Sequence, residues 1–322
     1  AVVVASGLDT KVLEAVKAIG EAQGLQLLGA VEKPLTARRL AELLGSYRRQ
    51  PAAPAGGAKV AVSGAEAVAA LDSGAIGSLF QPVVDLATCE VTAAEAVGGW
   101  LHPTKGPIPP AVFLPVLAAE GLVPRYVDVL LAQACTALAL CRDAGVRLRI
   151  GVDVGPAALG DVTLADRFLA TVRAAGAEPS QLVFEVAEHG LAEAPPAALD
   201  VMTRLRVKGF GLALDQFGAR ASARRLAHIP FTELKMDAGL VRGEAGRHDG
   251  LEVLQEMYDA GRALGIPMAA DGCETEADLD VVVDLGFRYA QGSFVGGPVG
   301  PAELVDGAGA WSPPPSRGGR PR

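Results

Sequence analysis

The chain has 322 residues, of which 50% are hydrophobic and 5% aromatic, and its 37 acidic and 29 basic residues give a net charge of −8. Half apolar content can bury a large core, which excludes disorder as the main state, and the negative charge argues against a DNA-binding protein because such binding depends on clustered cations. The four cysteines form no CxxC pair, the opening AVVVA is not a signal peptide, and no apolar run approaches the about 20 residues of a membrane span, so a reduced cytoplasmic protein without a membrane partner is expected.

Residues 1–45 show a strand–helix–strand–helix pattern, and residues 46–63 are an Ala/Pro/Gly-rich stretch typical of a linker. Two short parallel strands cannot close a sheet core alone, so this segment is expected to be part of a larger domain. Because Ser6 follows the first strand and Lys33 with its following proline the second, the segment resembles the C-terminal half of a two-component receiver domain. There Ser6 matches the switch hydroxyl and Lys33 the phosphate-contacting lysine. The phospho-acceptor would lie upstream, a histidine kinase is the implied partner, and an ordinary βαβα fragment is the alternative.

Residues 64–305 have about the length of one (β/α)8 barrel, and residues 306–322 form a Pro/Gly/Arg-rich tail expected to be disordered. Strand-like runs alternate with helical patterns, except that only residues 85–91 separate the first two runs. That connection is too short for a crossover helix, so these strands are predicted to form an antiparallel hairpin. The sequence therefore predicts an α/β, TIM-like barrel with one antiparallel strand. Its strands are predicted at 79–84, 92–97, 147–154, 181–187, 210–215, 231–237, 266–271 and 287–292, and its helices at 125–144, 161–176, 196–208, 219–228, 248–264 and 275–286.

Acidic residues fall at or near the ends of most of these runs. In a closed barrel such strand ends converge on one rim, where barrel enzymes build their active sites. One acid at a strand end is usually a helix cap, but many such ends with a lysine among them point to a shared site. Clustered carboxylates repel one another unless a divalent cation neutralises them, and hard oxygen ligands favour Mg²⁺ or Mn²⁺. The residues concerned are Glu95, Asp153, Glu185, Asp215, Lys235, Asp237 and Asp271, with Glu274 and Gln291 shortly after.

In the order of these residues along the sequence, the chain resembles the EAL domain family. Active members of that family hydrolyse the bacterial messenger cyclic di-GMP. The resemblance covers nearly all of residues 64–305 and rests on ordered pieces rather than on one motif. These are FQPVVDL at 80–86, AEAVGGW at 94–100, HP at 102–103, FLP at 113–115, FEVAE at 184–188, LDQFG at 214–218, LKMD at 234–237, DGCET at 271–275 and QG at 291–292.

The resemblance implies metal-dependent chemistry at this rim. Glu95, Glu185 and Asp215 match metal-ligating acids, and Asp153 stands where the family has a ligating asparagine. Two Mg²⁺ or Mn²⁺ ions about 3.5–4 Å apart would then hold the attacking and leaving oxygens of a phosphodiester.

The resemblance also implies catalytic and ligand-binding residues. Lys235 matches a lysine that holds the attacking water, Asp271 replaces a glutamate that takes part in proton removal, and Glu274 matches a supporting acid. Residues expected to line the ligand site are Gln81, Val97, Gln216, Asp237 and Gln291.

The chain departs from the family pattern at several of these places. Gly99 replaces the arginine that would clasp a ligand phosphate, a bidentate contact that glycine cannot supply. Gln216 replaces the second of two paired aspartates, and Asp271 is one methylene shorter than the family's glutamate. The family's Thr-Gly-Tyr-Ser-Ser run is absent from the loop at 217–222. These changes predict an intact first metal position and a weakened second one, whereas drift in a working enzyme is the alternative interpretation.

Three functions stay open at this point. The first is a response-regulator-type signalling protein whose barrel hydrolyses cyclic di-GMP weakly or not at all and acts by binding it or a protein partner. The second is an active phosphodiesterase that cuts cyclic di-GMP to linear pGpG, with receiver phosphorylation as its switch. The third is an interaction domain that binds neither ligand nor metal. A homodimer is one open assembly, and the sequence identifies neither the oligomeric state nor a protein partner.

Overall fold

The structure, a computed structural model, describes residues 2–6, 27–32, 61–192, 194–218, 229–243 and 248–312. The chain divides into two compact units, Ala1–Lys59 and Val60–Arg322. In the first unit, strands β1 (Val2–Ser6) and β2 (Leu27–Glu32) pair in parallel, as the sequence predicts. Ser6 ends β1 opposite Glu32, whereas Lys33, the predicted helices of residues 1–45 and most of the linker lie outside the described residues.

The strands of the second unit form one sheet that closes on itself. They are β3 (Ile76–Asp85), β4 (Glu90–His102), β5 (Gly106–Ile108), β6 (Arg149–Asp153), β7 (Leu182–Ala187), β8 (Gly211–Phe217), β9 (Glu233–Met236), β10 (Met268–Ala270), β11 (Tyr289–Gln291) and β12 (Gly309–Ala310). Pairing runs β4–β3–β11–β10–β9–β8–β7–β6, and β6 pairs with β4 to close the barrel. β3 is antiparallel to both of its neighbours, while the other pairs around the barrel are parallel. The TIM-like barrel with one antiparallel strand is thereby confirmed.

The hairpin of β3 and β4 is longer than predicted. Its register runs from Ile76 opposite Trp100 to Asp85 opposite Glu90. The Asp85 carboxylate accepts the backbone N–H of Ala87 at 2.9 Å, which stabilises the turn. β4 pairs with β6 only over residues 93–95, so the rest of the hairpin continues past the level of Glu95. The glycines at 98–99 hide this extension in the sequence because glycine is unfavourable in strands.

Helices surround the barrel. They are α1 (Gly64–Ser73), α2 (Pro110–Ala119), α3 (Val123–Asp143), α4 (Leu164–Ala174), α5 (Glu188–Ala192), α6 (Ala198–Val207), α7 (Ala238–Val241), α8 (His248–Ala263), α9 (Glu276–Leu285) and α10 (Pro301–Gly307). Every predicted helix that falls within the described residues is present, and the one predicted at 219–228 lies outside them. Helices α1 and α2 were not predicted, although Ser63 and Glu66 form a capping box at the start of α1 and α2 has Pro110 in its first turn.

The core lies between the strands and this helical layer. Phe184 of β7 packs between Phe168 of α4 and Phe210, with ring centroids 4.8 and 5.0 Å apart. All three rings are fully buried, and each such burial contributes about 1.5–3 kcal/mol. Among the described residues, α3 is the helix with the length and apolar character of a membrane span, and 44% of that stretch is buried within the molecule. An apolar face of this kind is what a helix covering a barrel needs.

Ordered structure continues past the predicted boundary at residue 305. Helix α10 ends at Gly307, and β12 then pairs with the start of β4. The backbone N–H of Trp311 donates to the carbonyl of Cys89 at 2.7 Å, and its indole N–H donates to Val295 at 2.9 Å. Trp311 therefore fastens this segment to the turn of the β3–β4 hairpin, while residues 313–322 lie outside the described part of the chain.

Candidate metal centre

Three acids from different strands meet at the mouth of the barrel. Glu95 lies within β4, Asp153 ends β6, and Glu185 lies within β7. Strand register places Asp153 directly opposite Glu185, and Glu95 opposite Gly151. One carboxylate oxygen from each of the three acids lies within 4.8 Å of the others. We refer to Glu95, Asp153 and Glu185 as the carboxylate trio.

A buried lysine bridges two members of the trio. The Lys235 ammonium, at the middle of the short strand β9, donates to Glu95 Oε2 and, at 2.5 Å, to Glu185 Oε2. Burial alone would lower the pKa of Lys235, but the charges of Glu185 and Glu95 outweigh it and hold that pKa well above its usual range. Lys235 is therefore a permanent positive charge inside the acidic cluster.

Two glutamines are hydrogen-bonded to the acidic cluster or to each other. Gln291, at the end of β11, donates through Nε2 to Glu95 Oε2 at 2.7 Å and to Gln81 Oε1 at 3.3 Å. Gln81 lies opposite Glu95 in the β3–β4 hairpin. The other polar atom of Gln291, Oε1, is buried and has no hydrogen-bond partner among the described residues. Since a buried acceptor without a partner is costly, this oxygen is available to a ligand or an ion.

The protonation of the surrounding acids reflects an excess of negative charge. The pKa of Asp153 is raised to about 7, first by removal from bulk water and then by the negative charge of Glu95. The Asp153 side chain is nevertheless exposed, and the negative charges of Asp215 and Asp271 also act to raise its pKa. Burial likewise raises the pKa of Asp271 to about 6 and raises that of Asp215.

Glu95 and Glu185 differ although both contact Lys235. Burial and the neighbouring carboxylates raise the pKa of Glu185 well above its usual range. Burial also acts to raise the pKa of Glu95, but Lys235 and the amide of Gln291 outweigh it and keep that pKa below its usual range. Glu95 is therefore the acid of this cluster that most readily stays ionised. The neighbouring acids Asp153, Glu185, Asp215 and Asp271 have raised pKa values and hold protons more readily.

The residues present fit a divalent cation. The trio supplies three hard oxygen ligands from three strands, and Gln291, which donates to Glu95 through Nε2, has a buried Oε1 without a hydrogen-bond partner among the described residues. A divalent charge would favour the ionised forms of Asp153 and Asp271, whose pKa values are raised to about 7 and about 6. The geometry suits Mg²⁺ or Mn²⁺ by ligand type, and it does not select between them.

Gly151 is a part of the site that sequence reasoning missed. A Cβ added at this position would lie 1.9 Å from Glu185 Oε1, so the carboxylate occupies the space that a side chain would take. Gly151 lies opposite Glu95 on one side and Val183 on the other. A glycine in a strand weakens pairing but allows this close approach. The sequence signal was a glycine inside the apolar run at 147–154.

Replacing Gly151 with alanine is expected to displace the Glu185 carboxylate without altering any ligand. We expect Mn²⁺ affinity to fall by about tenfold or more and the free energy of unfolding to fall by about 1–3 kcal/mol, the usual cost of overpacking. Titration with Mn²⁺ and thermal melting measure the two effects. Gly155→Ala is the matched control, because a Cβ there would have Val123 at 3.9 Å as its nearest neighbour. Equal Mn²⁺ affinity in Gly151→Ala and the parent would refute this role.

The second predicted metal position is built differently. Asp215 lies within β8, next to Ala187 of β7, and is followed by Gln216 in a left-handed backbone conformation with φ 56°. The Gln216 side chain is engaged with His189, whose Nδ1 lies 3.1 Å from Gln216 Oε1. His189 is exposed and lies within hydrogen-bond distance of this amide. The amide oxygen predicted to face the ligand is therefore shared with a histidine.

The remaining predicted residues lie around the mouth but outside the trio. Asp271 directly follows β10. Glu274 is exposed and forms an ion pair with Arg242 at 2.7 Å, so any support it gives to Asp271 acts through the loop. Asp237 accepts the backbone N–H of Gly239 at 2.8 Å and caps a short helix. Val97 lies on the same face of β4 as Glu95, two residues further along the strand.

Further along β4 from Glu95, the hairpin lines an apolar groove where an arginine was expected. Gly99 follows Glu95 and Val97 on the same face of β4, opposite Gly77. A Cβ added at Gly99 would have only Leu79 atoms within 4 Å, at 3.7 Å, so the position is open. The groove has a volume of about 670 Å³ and is lined by Leu79, Leu101 and several glycines and prolines. A phosphate here would meet apolar surface and no guanidinium.

Comparison with known proteins places these observations in context. Residues 65–298 match the EAL domain. The cyclic di-GMP phosphodiesterase RocR of Pseudomonas aeruginosa is 30% identical over 308 residues, which cover 95% of this chain and 79% of RocR. The MucR phosphodiesterase in complex with c-di-GMP has 29% identity and a TM-score of 0.69, covering 73% of this chain and 96% of that structure. The FimX EAL domain of P. aeruginosa bound to c-di-GMP, at 22% identity, has a similar fold, with a TM-score of 0.66 over 73% of this chain and 96% of that domain.

Proposed function

The chain belongs to the EAL domain family, and from this premise we propose that it binds cyclic di-GMP at the mouth of the barrel and hydrolyses it weakly or not at all. The observation that carries this proposal is the convergence of the carboxylate trio on the buried Lys235. Further along the same face of β4, Gly99 leaves an open groove. The first feature supplies a metal centre, and the second removes a phosphate clasp. The protein would then act mainly by binding cyclic di-GMP and much less by degrading it.

The trio would hold one Mg²⁺ or Mn²⁺ ion, together with the oxygen of Gln291. When bound there, the cation would polarise a phosphoryl oxygen and offset the charge of the phosphodiester. Lys235 would contribute a fixed positive charge to the phosphate site, and Gln81 and Gln291, which are hydrogen-bonded to each other, would line it. Val97 and Asp237 border the same mouth and would contact the ligand from its sides.

We expect weak hydrolysis because of the residues at the second predicted metal position. Gln216 brings no charge to a second cation, and its oxygen already contacts His189. Asp215 and Asp271 would remain as acids for that ion, but Asp271 is shorter than glutamate, and an error of about 1 Å in placing a base can cost about 100-fold in rate. Gly99 adds a further loss, because a phosphate gains no charge-assisted hydrogen bond from it.

An active phosphodiesterase that yields linear pGpG is the second candidate. It is favoured by the 30% identity to RocR, which extends over nearly the whole of this chain. A pKa of about 6 at Asp271 also suits a general base working near neutral pH. In that case Asp271 would take a proton from water held by Lys235, with Glu274 stabilising the loop through Arg242.

We also propose that residues 1–45 are the C-terminal half of a receiver domain, with Ser6 and Lys33 as its switch residues and a histidine kinase as its partner. The parallel pairing of β1 and β2 supports this, since receiver strands are parallel. Cytoplasmic location, a homodimer and a further protein partner are proposed on the same family grounds.

Calorimetry and product analysis test these proposals together. We expect cyclic di-GMP to bind in the presence of Mn²⁺ and linear dinucleotide to form far more slowly than about 1 s⁻¹. Turnover near that rate would establish the second candidate instead. Absence of heat with and without divalent ions would show that the barrel is an interaction domain and would refute messenger binding.

A further inference from the structure

The Lys235 ammonium contacts two of the acids that a metal ion would use. It contacts Oε2 of both Glu95 and Glu185, two of the three acids in the carboxylate trio. These contacts are buried, with the Lys235 side chain 7% exposed and the Glu185 side chain 6% exposed. The lysine therefore acts as an internal counter-ion of the acidic cluster.

An ammonium and a divalent ion would compete for the negative charge of these carboxylates. Glu95 Oε2 already accepts hydrogen bonds from Lys235 and, at 2.7 Å, from Gln291 Nε2. A divalent ion held by the trio would approach oxygens at about 2.0–2.6 Å and would meet the ammonium at short range. At an effective dielectric constant of about 20, charges about 4 Å apart interact by several kcal/mol, so the two positive charges repel strongly.

Resting on the proposed metal centre, we propose that Lys235 competes with the divalent cation for Glu95 and Glu185 and thereby sets the metal affinity of the barrel. Metal entry requires the ammonium to leave at least one of these carboxylates.

A place for the displaced ammonium is present beside the trio. Asp215 lies on β8, the strand adjacent to β9, and Asp271 directly follows β10 on the other side. Both carboxylates act on the charge of Lys235 in the structure. On leaving Glu95 or Glu185, the ammonium would have these two acids of the neighbouring strands as its next partners. Metal binding and the position of this lysine are coupled for that reason.

The test is the Mn²⁺ affinity of Lys235→Met, measured by electron paramagnetic resonance titration on the full chain. Removal of a competing cation is expected to tighten Mn²⁺ binding by about tenfold or more, although this residue belongs to the predicted catalytic set. Lys235→Gln is the second variant and should show the same direction. Lys208→Met is the matched control, because its ion pair with Asp166 lies on the outer helices, so its loss should leave Mn²⁺ affinity unchanged.

Thermal melting keeps the test decisive if the variant is unstable. Removal of Lys235 leaves buried carboxylates without their cation, which typically destabilises a protein strongly. Mn²⁺ should therefore raise the melting temperature of Lys235→Met more than that of the parent, and chelation should reverse this gain. Mn²⁺ affinity that is equal to or weaker than the parent's in both variants, without extra thermal rescue, would overturn the competition. Absence of Mn²⁺ binding in the parent and in both variants would instead refute the metal centre.

Discussion

Replacing Glu95 with glutamine is expected to lower Mn²⁺ affinity by about 100-fold or more, the largest loss that any single neutral substitution should cause. Glu95 is the acid whose pKa is held below its usual range, so it supplies a full negative charge where its neighbours share protons. Changes to outer partners of a metal site already cost about 10–100-fold, and a ligand carrying the charge should cost at least as much. The amide keeps the shape of the side chain and an oxygen that can accept from Lys235, so the strand pairing should survive.

Isothermal titration with Mn²⁺ measures this effect. Glu233→Gln is the matched control, since its carboxylate pairs with Arg149 at the opposite end of β6 and β9 and is also partly buried. We expect the control to bind Mn²⁺ as the parent does. If Glu95→Gln titrates like Glu233→Gln, the assignment of the metal to the trio is wrong.

Restoring Gly99→Arg together with Gln216→Asp is expected to strengthen both cyclic di-GMP binding and its hydrolysis. An arginine at 99 fits, because a Cβ there meets only Leu79 at 3.7 Å and the groove beside it is open. A hydrogen bond to a charged group contributes about 1.5–3 kcal/mol, which corresponds to about 10- to 100-fold in affinity. Aspartate at 216 suits the left-handed backbone and gives a second cation the charge that glutamine lacks.

Calorimetry with cyclic di-GMP and the rate of linear dinucleotide formation report the two gains separately. Leu101→Arg controls for the added charge, because Leu101 is on the same strand face but two residues further from Glu95 and is 71% exposed. We expect the rate of the double variant to rise by about tenfold or more and that of the control to stay at the parent's level. An inert double variant would place the defect in the loop that follows Gln216.

The meeting of Glu95, Asp153 and Glu185 could be predicted from the sequence because the carboxyl ends of parallel barrel strands lie at the same rim. Once the runs carrying Glu95, Asp153 and Glu185 were taken as neighbouring barrel strands, parallel pairing required their ends to meet at one rim. The antiparallel hairpin followed from a connection too short for a helix. These conclusions depend on topology alone, which hydrophobic patterning specifies.

Features that depend on the directions of side chains were not available from the pattern. Glu274 falls in the expected loop, yet it turns toward Arg242, a residue on another loop. His189 contacts Gln216 only because β7 and β8 are adjacent and Gln216 takes a left-handed conformation. The need for glycine at position 151 becomes clear only from the structure, in which the Glu185 carboxylate fills the space of a side chain there. Helix α2 was missed because Pro115 lies inside it and obscures the helical period.

An anomalous difference map from crystals grown with Mn²⁺ and cyclic di-GMP would locate the metal directly. We expect a strong peak bounded by the carboxylates of Glu95, Asp153 and Glu185, a weaker peak or none beside Asp215 and Gln216, and a ligand phosphate against the first peak. A map with no peak at the trio, or with its strongest peak away from these acids, would show that the metal does not bind at the trio.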